Sequence, residues 1–266
     1  MEHCFICTTC GVQYSASAEP PDDCIICGDD RQYVNLTGQA WTTLAQVNRH
    51  HRNIFEKIAP GIFAIYTTPS FAIGQRAHLL LSLAGNVLWD CITALDEATV
   101  ELINSLGGIS AIAISHPHYF STICEWSQAF GDVPVYIHAA DRQWVTRKEG
   151  NLQFWDAETF RLNPEMELVR CGGHFPGASV LHWSTGAGSL FAGDTIQVTP
   201  GNDRVSFMYS YPNMIPLAAT DIRNIATAVE PLQYDAMYGA FDRYIRSGAK
   251  EIMKTSVERY LQIFND

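Results

Sequence analysis

Ser110-Ala111-Ile112-Ala113-Ile114-Ser115-His116-Pro117-His118 is the stretch on which the reading of this chain turns. The run from Ser110 to Ser115 is apolar at its centre and carries no charge, which reads as a buried strand. Two histidines follow at once, spaced i and i+2. In an extended backbone those positions face the same way, and Pro117 stiffens the segment between them, so both imidazoles are expected to leave the strand end on one side. Alone, an H-x-H is half of a metal site and no more.

Two stretches further along supply the other half. In Cys171-Gly172-Gly173-His174-Phe175-Pro176-Gly177 a single histidine is braced by three glycines and a proline, a loop that fixes a side chain by backbone geometry rather than by burial. In Leu190-Phe191-Ala192-Gly193-Asp194-Thr195 a carboxylate follows an apolar strand. Taken singly, Asp194 reads as a turn or helix-cap residue, whereas the setting of His174 already suits a ligand better than a core histidine. Taken together, His116, His118, His174 and Asp194 offer three neutral nitrogens and one carboxylate, the ligand set of a hydrolytic zinc site. Leu88-Trp89-Asp90 is a further apolar run that ends in an acid, and Asp90 is placed to orient a ligand from behind.

The first 27 residues hold five of the eight cysteines. Cys7-Thr8-Thr9-Cys10-Gly11 and Cys24-Ile25-Ile26-Cys27-Gly28 are two C-x-x-C-G knuckles, thirteen residues apart. Each glycine is expected to let the backbone turn tightly after the second thiolate, and four thiolates make a closed tetrahedral site. Such spacing in a chain without a secretory start points to a metal rather than to disulfides. The segment resembles a zinc ribbon or a rubredoxin-like knuckle, with Tyr14 at an aromatic position. Zinc and iron both suit it. Cys4 lacks a following knuckle glycine and is read as a spare thiol, while Cys91, Cys124 and Cys171 are read as small buried hydrophobes.

Composition bounds what these motifs serve. The chain has 266 residues, is 47% hydrophobic and 17% charged, and carries a formal net charge of −11. This excludes disorder, collagen and coiled coil, and an acidic surface repels nucleic acid and anionic lipid. No apolar stretch is long enough to span a bilayer and Met1-Glu2-His3-Cys4 is no basic signal start, so a cytoplasmic location is expected. The expected partner is a small-molecule substrate, with self-association left open.

Apolar runs at 62–67, 71–75, 79–83 and 87–90, punctuated by Gly and Pro, read as a meander of strands. Helices are expected at 96–106, 121–130, 217–229 and 247–264, and strands at 110–115, 134–138, 168–171, 179–184, 189–192 and 236–238. A mildly helical stretch is read at 42–57, with His50 and His51 as surface residues. The pattern gives an α/β fold of two packed sheets with helices outside. It divides into a metal knuckle at 1–37, a connector at 38–60 and the main domain at 61–266.

From Gly61 onward the chain resembles the metallo-β-lactamase superfamily. Asp90, His116-Pro117-His118, Gly173-His174-Phe175-Pro176-Gly177 and Gly193-Asp194 match its motifs in order. The resemblance implies an αββα sandwich and a metal-dependent hydrolase. It also marks two departures: Phe120-Ser121 stands where the family has Asp-His, and Ala240-Phe241 follows the late strand where a last histidine is usual. The second ion's ligands are therefore missing, and one Zn²⁺ or Fe²⁺ is expected at His116, His118, His174 and Asp194, beside the ion of Cys7, Cys10, Cys24 and Cys27. Asp194 would be the base or orienter, and Tyr119 would shape the pocket or donate to an oxyanion. The substrate would be an ester, thioester or similar carbonyl compound, bound by loops at 69–76, 147–154 and 199–216. An iron-dependent oxidoreductase fed by the knuckle, and a non-catalytic metal-binding relative, are the rival readings.

Overall fold

In the computed structural model, which describes residues 2–264, alternation along single strands sorts the apolar side chains into three cores. Phe191 faces one core while its neighbours Leu190 and Ala192 face another; Leu181 and Val180 split in the same way. This period of two is the mark of a sheet buried on both faces.

The first sheet has seven strands in sequence order. Arg52–Ala59, Ile62–Thr68, Ala77–Leu80 and Val87–Trp89 form an antiparallel meander, and Ala111–Ala113, Val135–His138 and Leu152–Trp155 add on in parallel. The second sheet has six strands: Thr159–Arg161, Met166–Arg170, Ser179–Trp183 and Ser189–Gly193 run antiparallel, Ala236–Gly239 joins in parallel, and Tyr244–Ile245 closes the edge.

Trp89, Leu80 and Ala113 of the first sheet meet Phe191, Leu181 and Met166 of the second in the central core. Each large side chain buried there contributes about 1.5–3 kcal/mol relative to exposure. Helices α1 (Leu44–His50), α2 (Glu97–Ser105), α3 (Ile123–Ala129), α4 (Ala219–Val229) and α5 (Ala249–Gln262) complete the set. Residues of α2 and α3 join the outer core of the first sheet, and residues of α4 and α5 that of the second, giving the four-layered αββα order expected. Asp96 starts α2 by accepting the Thr99 amide.

The N-terminal segment is part of the outer core of the first sheet. Cys7, Cys10, Val12, Cys24, Ile26 and Cys27 share that core with Ile92, Phe120 and Phe175. The Gln13 amide donates to the Ser121 carbonyl at 3.0 Å and the Thr93 hydroxyl to the Gly11 carbonyl at 3.1 Å.

Several elements differ from the sequence reading. The stretch expected to connect, 38–60, is structured: Trp41–Thr42 pairs with Ile6–Cys7, α1 follows, and Arg52–Ala59 is the first strand of the large sheet. The helix expected to run to Lys57 stops at His50, because strand pairing along 62–68 overrides a weak helical preference. The strand expected at 71–75 is a turn, where Ala72 and Gly74 have positive φ. Leu152–Trp155, expected within a substrate loop, is a sheet strand, and the strand Thr159–Arg161 had no expectation at all.

Candidate metal centre

The ligand candidates meet because the two sheets bring matching strand ends together. His116 follows Ala111–Ala113 of the first sheet, Asp194 follows Ser189–Gly193 of the second, and His174 sits in the loop before Ser179–Trp183. The Ser179 amide donates to the Ser115 carbonyl at 3.0 Å, tying the sheets at that point. Gly193 has φ +52, and a Cβ there would lie 2.7 Å from the Ser115 hydroxyl, so the approach requires glycine. Sites at the carboxyl ends of strands are the usual location in such folds.

Only part of the H-x-H geometry follows the expectation. His116 is extended, but Pro117–Tyr119 is a 3₁₀ turn, and it is this turn that swings His118 back toward the others. His116 Nε2 lies 3.4 Å from Asp194 Oδ2, His118 Nδ1 lies 3.9 Å from the same oxygen, and His174 Nε2 lies 3.4 Å from His118 Nδ1. One donor atom from each of the four lies within 4.8 Å of all the others, and all four side chains are buried.

Each donor is held from behind. The His116 Nδ1 is 2.8 Å from the Ser115 hydroxyl, and the Ser115 amide donates to Asp90 Oδ1 at 2.7 Å. His174 Nδ1 donates to the Tyr209 carbonyl at 2.9 Å, which leaves its Nε2 lone pair for the cluster. The His118 carbonyl accepts from Gln75 Nε2 at 2.6 Å. Phe175 packs its ring edge-to-face on His118 and His174 at 5.0 and 5.1 Å. Gly177 is pinned by a 2.7 Å bond from its amide to Asp141 Oδ1.

Burial pushes the His116 and His174 pKa values down, that of His174 well below the usual range, so both rings are neutral, as ligands must be. Burial alone would raise the Asp194 pKa, but the contacts with His116 and His118 outweigh it and keep the carboxyl ionised. Burial holds the Asp90 carboxyl well above its usual range. His116 Nε2 and Asp194 Oδ1 are buried without a hydrogen-bond partner. Buried polar atoms left unsatisfied are costly, and one cation among three nitrogen lone pairs and a carboxylate satisfies His116 Nε2 and balances the Asp194 charge. The residues present therefore fit a metal ion.

The second cluster is formed by Cys7, Cys10, Cys24 and Cys27, whose sulfurs also lie within 4.8 Å of one another. Cys7 Sγ is 3.6 Å from Cys27 Sγ, and Cys10 Sγ is 3.6 Å from Cys24 Sγ. Hydrogen bonds from the other three thiols hold the Cys7 pKa far down. Gly11 turns at φ +81 as expected; Gly28 has no positive φ and is not forced to be glycine on that ground. The Tyr14 hydroxyl accepts the Ile25 amide at 2.9 Å, and Gln39 Nε2 donates to Cys7 Sγ at 3.2 Å. Cys4 stands outside the group, and Cys91, Cys124 and Cys171 are buried free thiols.

Tyr119 does not present a hydroxyl to the centre. It is fully buried, its ring lies edge-on to His116 at 5.3 Å, and its hydroxyl donates to the Ala240 carbonyl at 3.2 Å. Of the two roles expected of it, shaping the pocket or donating to an oxyanion, the ring packed on His116 suits the first, while the hydroxyl is turned to Ala240. Phe120 is buried in the core shared with the cysteines, and the Ser121 hydroxyl donates to the Cys91 carbonyl. Sequence reasoning took in Ser115 and Tyr209 with their stretches but not their bonds to His116 and His174, and it missed Asp141 and Arg31. The last of these follows the second knuckle by only four residues, yet nothing in its spacing marks it.

No protein-family model matches the chain. It is 48% identical over 266 residues, covering 98% of its own length and 97% of the relative's, to the uncharacterized protein YmaE of Bacillus subtilis (strain 168). Among solved structures it is similar to VMB-1, with a TM-score of 0.61 and 11% identity over 80% of this chain and 98% of that one. It is also similar to a metallo-β-lactamase from Pontibacter korlensis, with a TM-score of 0.56 and 14% identity over 78% and 98%. The metallo-β-lactamase FIM-1 from Pseudomonas aeruginosa, in its mono-zinc form, matches with a TM-score of 0.56 and 13% identity over 79% and 96%.

Proposed function

The chain belongs to the same family as YmaE of Bacillus subtilis and has the metallo-β-lactamase fold, and on that premise we propose that it is a metal-dependent hydrolase using one ion. Its substrate is an ester, thioester or similar carbonyl compound of small size. The observation that carries this reading is the convergence of His116, His118, His174 and Asp194 with three of their polar atoms, His116 Nε2, His118 Nε2 and Asp194 Oδ1, buried and unpaired.

His116 Nε2, His118 Nδ1, His174 Nε2 and Asp194 Oδ2 would hold the ion, as Zn²⁺ or Fe²⁺. When bound it supplies a Lewis acid for a carbonyl oxygen and brings the pKa of water down to about 7. The rest is done by the chain. The Tyr209 carbonyl fixes the tautomer of His174, and the Ser115 hydroxyl holds the His116 ring in place. Asp194, ionised and with Oδ1 free, is the acceptor for the proton that the attacking water loses. The partly buried Tyr211, whose hydroxyl donates to the Asp194 carbonyl at 3.4 Å, steadies the residue that takes the proton.

Support for a single ion comes from what surrounds the four donors. Among the described residues, no other His, Cys, Asp or Glu joins their group, and Phe120 fills the position of the family's usual acid. Depth of burial favours a second reading, a non-catalytic metal-binding relative, because His116 and His174 are each 1% exposed. A panel of esters, thioesters and lactones, tested with metal-loaded and metal-stripped protein, separates the two. Turnover that depends on the ion supports the hydrolase; a loaded protein that turns over nothing in the panel supports the binding relative.

A further inference from the structure

The turn that follows Cys27 reaches the residues that hold His174. Arg31 Nη1 donates to both carboxylate oxygens of Asp29 at 2.8 Å, and the Arg31 amide donates to Asp29 Oδ1 at 3.0 Å. With its edge held this way and its side chain 12% exposed, the guanidinium sits over the faces of aromatic rings. It lies 4.3 Å from the centre of the Phe175 ring, 4.8 Å from that of Tyr209 and 5.4 Å from that of Trp144. Phe175 is the ring packed on His118 and His174, and Tyr209 supplies the carbonyl that takes the His174 Nδ1 proton.

A second link runs through Asn213. Its Nδ2 donates to the Asp30 carbonyl at 2.9 Å and the Gln32 carbonyl at 3.0 Å, while its amide donates to the Ser210 hydroxyl at 3.2 Å. The segment 209–213 is thus tied on one side to His174 and on the other to the knuckle turn. We propose that Arg31 is a positioning residue for His174, and that through it the four-thiolate cluster sets how tightly the His–Asp centre binds its ion.

The physical basis is the way closed thiolate sites fold. Four sulfurs within 4.8 Å of one another stay together when an ion holds them, and the turn at 28–32 is ordered by that anchor. An ordered turn fixes the stacked guanidinium, and the guanidinium fixes Phe175 and Tyr209. Arginine suits the place because its planar fork pairs with a carboxylate and stacks at the same time, which lysine cannot do. Loss of a residue that orients a ligand from behind typically weakens metal binding 10- to 100-fold.

This inference rests on the reading of His116, His118, His174 and Asp194 as a metal centre, and its test does not depend on turnover. Full-length wild type, R31A and R31K are loaded with Co²⁺, whose thiolate bands report the cysteine cluster separately from the His–Asp centre, and the affinity of each site is measured against a competing chelator. R31A is expected to keep the cluster ion and to bind the second ion about tenfold or more weakly, with R31K between it and wild type. Binding of the second ion by R31A within twofold of wild type overturns the proposal. Should R31A fail to hold the cluster ion, R31K carries the test by the same criterion: weaker binding of the second ion supports it and wild-type binding overturns it. A wild type that binds both ions but hydrolyses nothing counts against the hydrolase reading alone; an active wild type with an unweakened R31A counts against this inference alone.

Discussion

His174 Nε2 and His118 Nδ1 stand 3.4 Å apart, although 56 residues separate them in the chain. Because His174 gives its other proton to the Tyr209 carbonyl, its Nε2 holds a lone pair. If His118 Nδ1 also holds one, two lone pairs oppose each other in a buried site, while His118 Nε2 is buried with no partner in either tautomer. A cation between His174 Nε2 and His118 Nδ1 removes the opposition of the two lone pairs.

Replacing His116, His118 or His174 by Ala should therefore remove one ion per chain and leave the fold in place. The drop in affinity should exceed the ~100-fold that loss of an outer partner costs. Metal analysis after dialysis, with circular dichroism on the same sample, reads both. An unchanged metal content in any of the three variants contradicts the ligand assignment.

Asp194→Asn keeps the shape and removes the charge. If Asp194 accepts the proton as well as holding the ion, turnover per bound ion should fall by about a hundredfold or more. The kcat of the variant with its metal content tells the cases apart: equal loss of metal and activity would mark Asp194 as a ligand only.

Introducing the family's usual acid at Phe120 should not create a second metal site. The Phe120 ring is 2% exposed and packs in the core that holds the four cysteines. Phe120→Asp removes that ring and buries a carboxyl, a change that costs about 3–5 kcal/mol or more. Urea unfolding should show the loss, and metal content should not rise above wild type; a stable variant with an extra ion would contradict this.

How much of this was legible in the sequence follows from what kind of signal each part carries. Strand ends bearing His116 and Asp194, the glycine-braced loop of His174 and the two C-x-x-C-G knuckles are local patterns, so both clusters could be read before any coordinates. The first strand of the large sheet, Arg52–Ala59, could not, because its exposed positions mix Arg52, Ile54, Glu56 and Lys57 without a clean polar–apolar alternation, and only pairing with Ile62–Thr68 makes it a strand. Arg31 was illegible for a stronger reason. Its partners Trp144, Phe175 and Tyr209 lie more than a hundred residues away, and stacking leaves no periodicity behind. Tyr119 misled because adjacency to a ligand says nothing of where a hydroxyl points.

His78 should make the fold acid-sensitive independently of the metal. It is 2% exposed among Phe191, Tyr238 and Tyr244, both ring nitrogens lack partners, and burial, with a smaller effect from Arg76, lowers its pKa to about 3. A histidine with a lowered folded pKa binds fewer protons folded than unfolded, so its share of stability is present above about 6.5 and is lost as pH falls toward 3. His78→Leu should be at least as stable as wild type at pH 8, and its advantage should grow by about 3 kcal/mol at pH 4. Urea unfolding of both proteins at pH 8, 6 and 4 gives the difference; an advantage that does not change with pH would refute the neutral buried ring.

The claim that one ion at His116, His118, His174 and Asp194 performs hydrolysis is tested most directly by a stoichiometric titration. Protein that holds only its cysteine-bound ion is titrated with Zn²⁺ while hydrolysis of the best substrate from the carbonyl panel is followed. Activity should rise in proportion to added metal and stop rising at one equivalent. Activity that keeps rising to a second equivalent, or none at any loading, contradicts it.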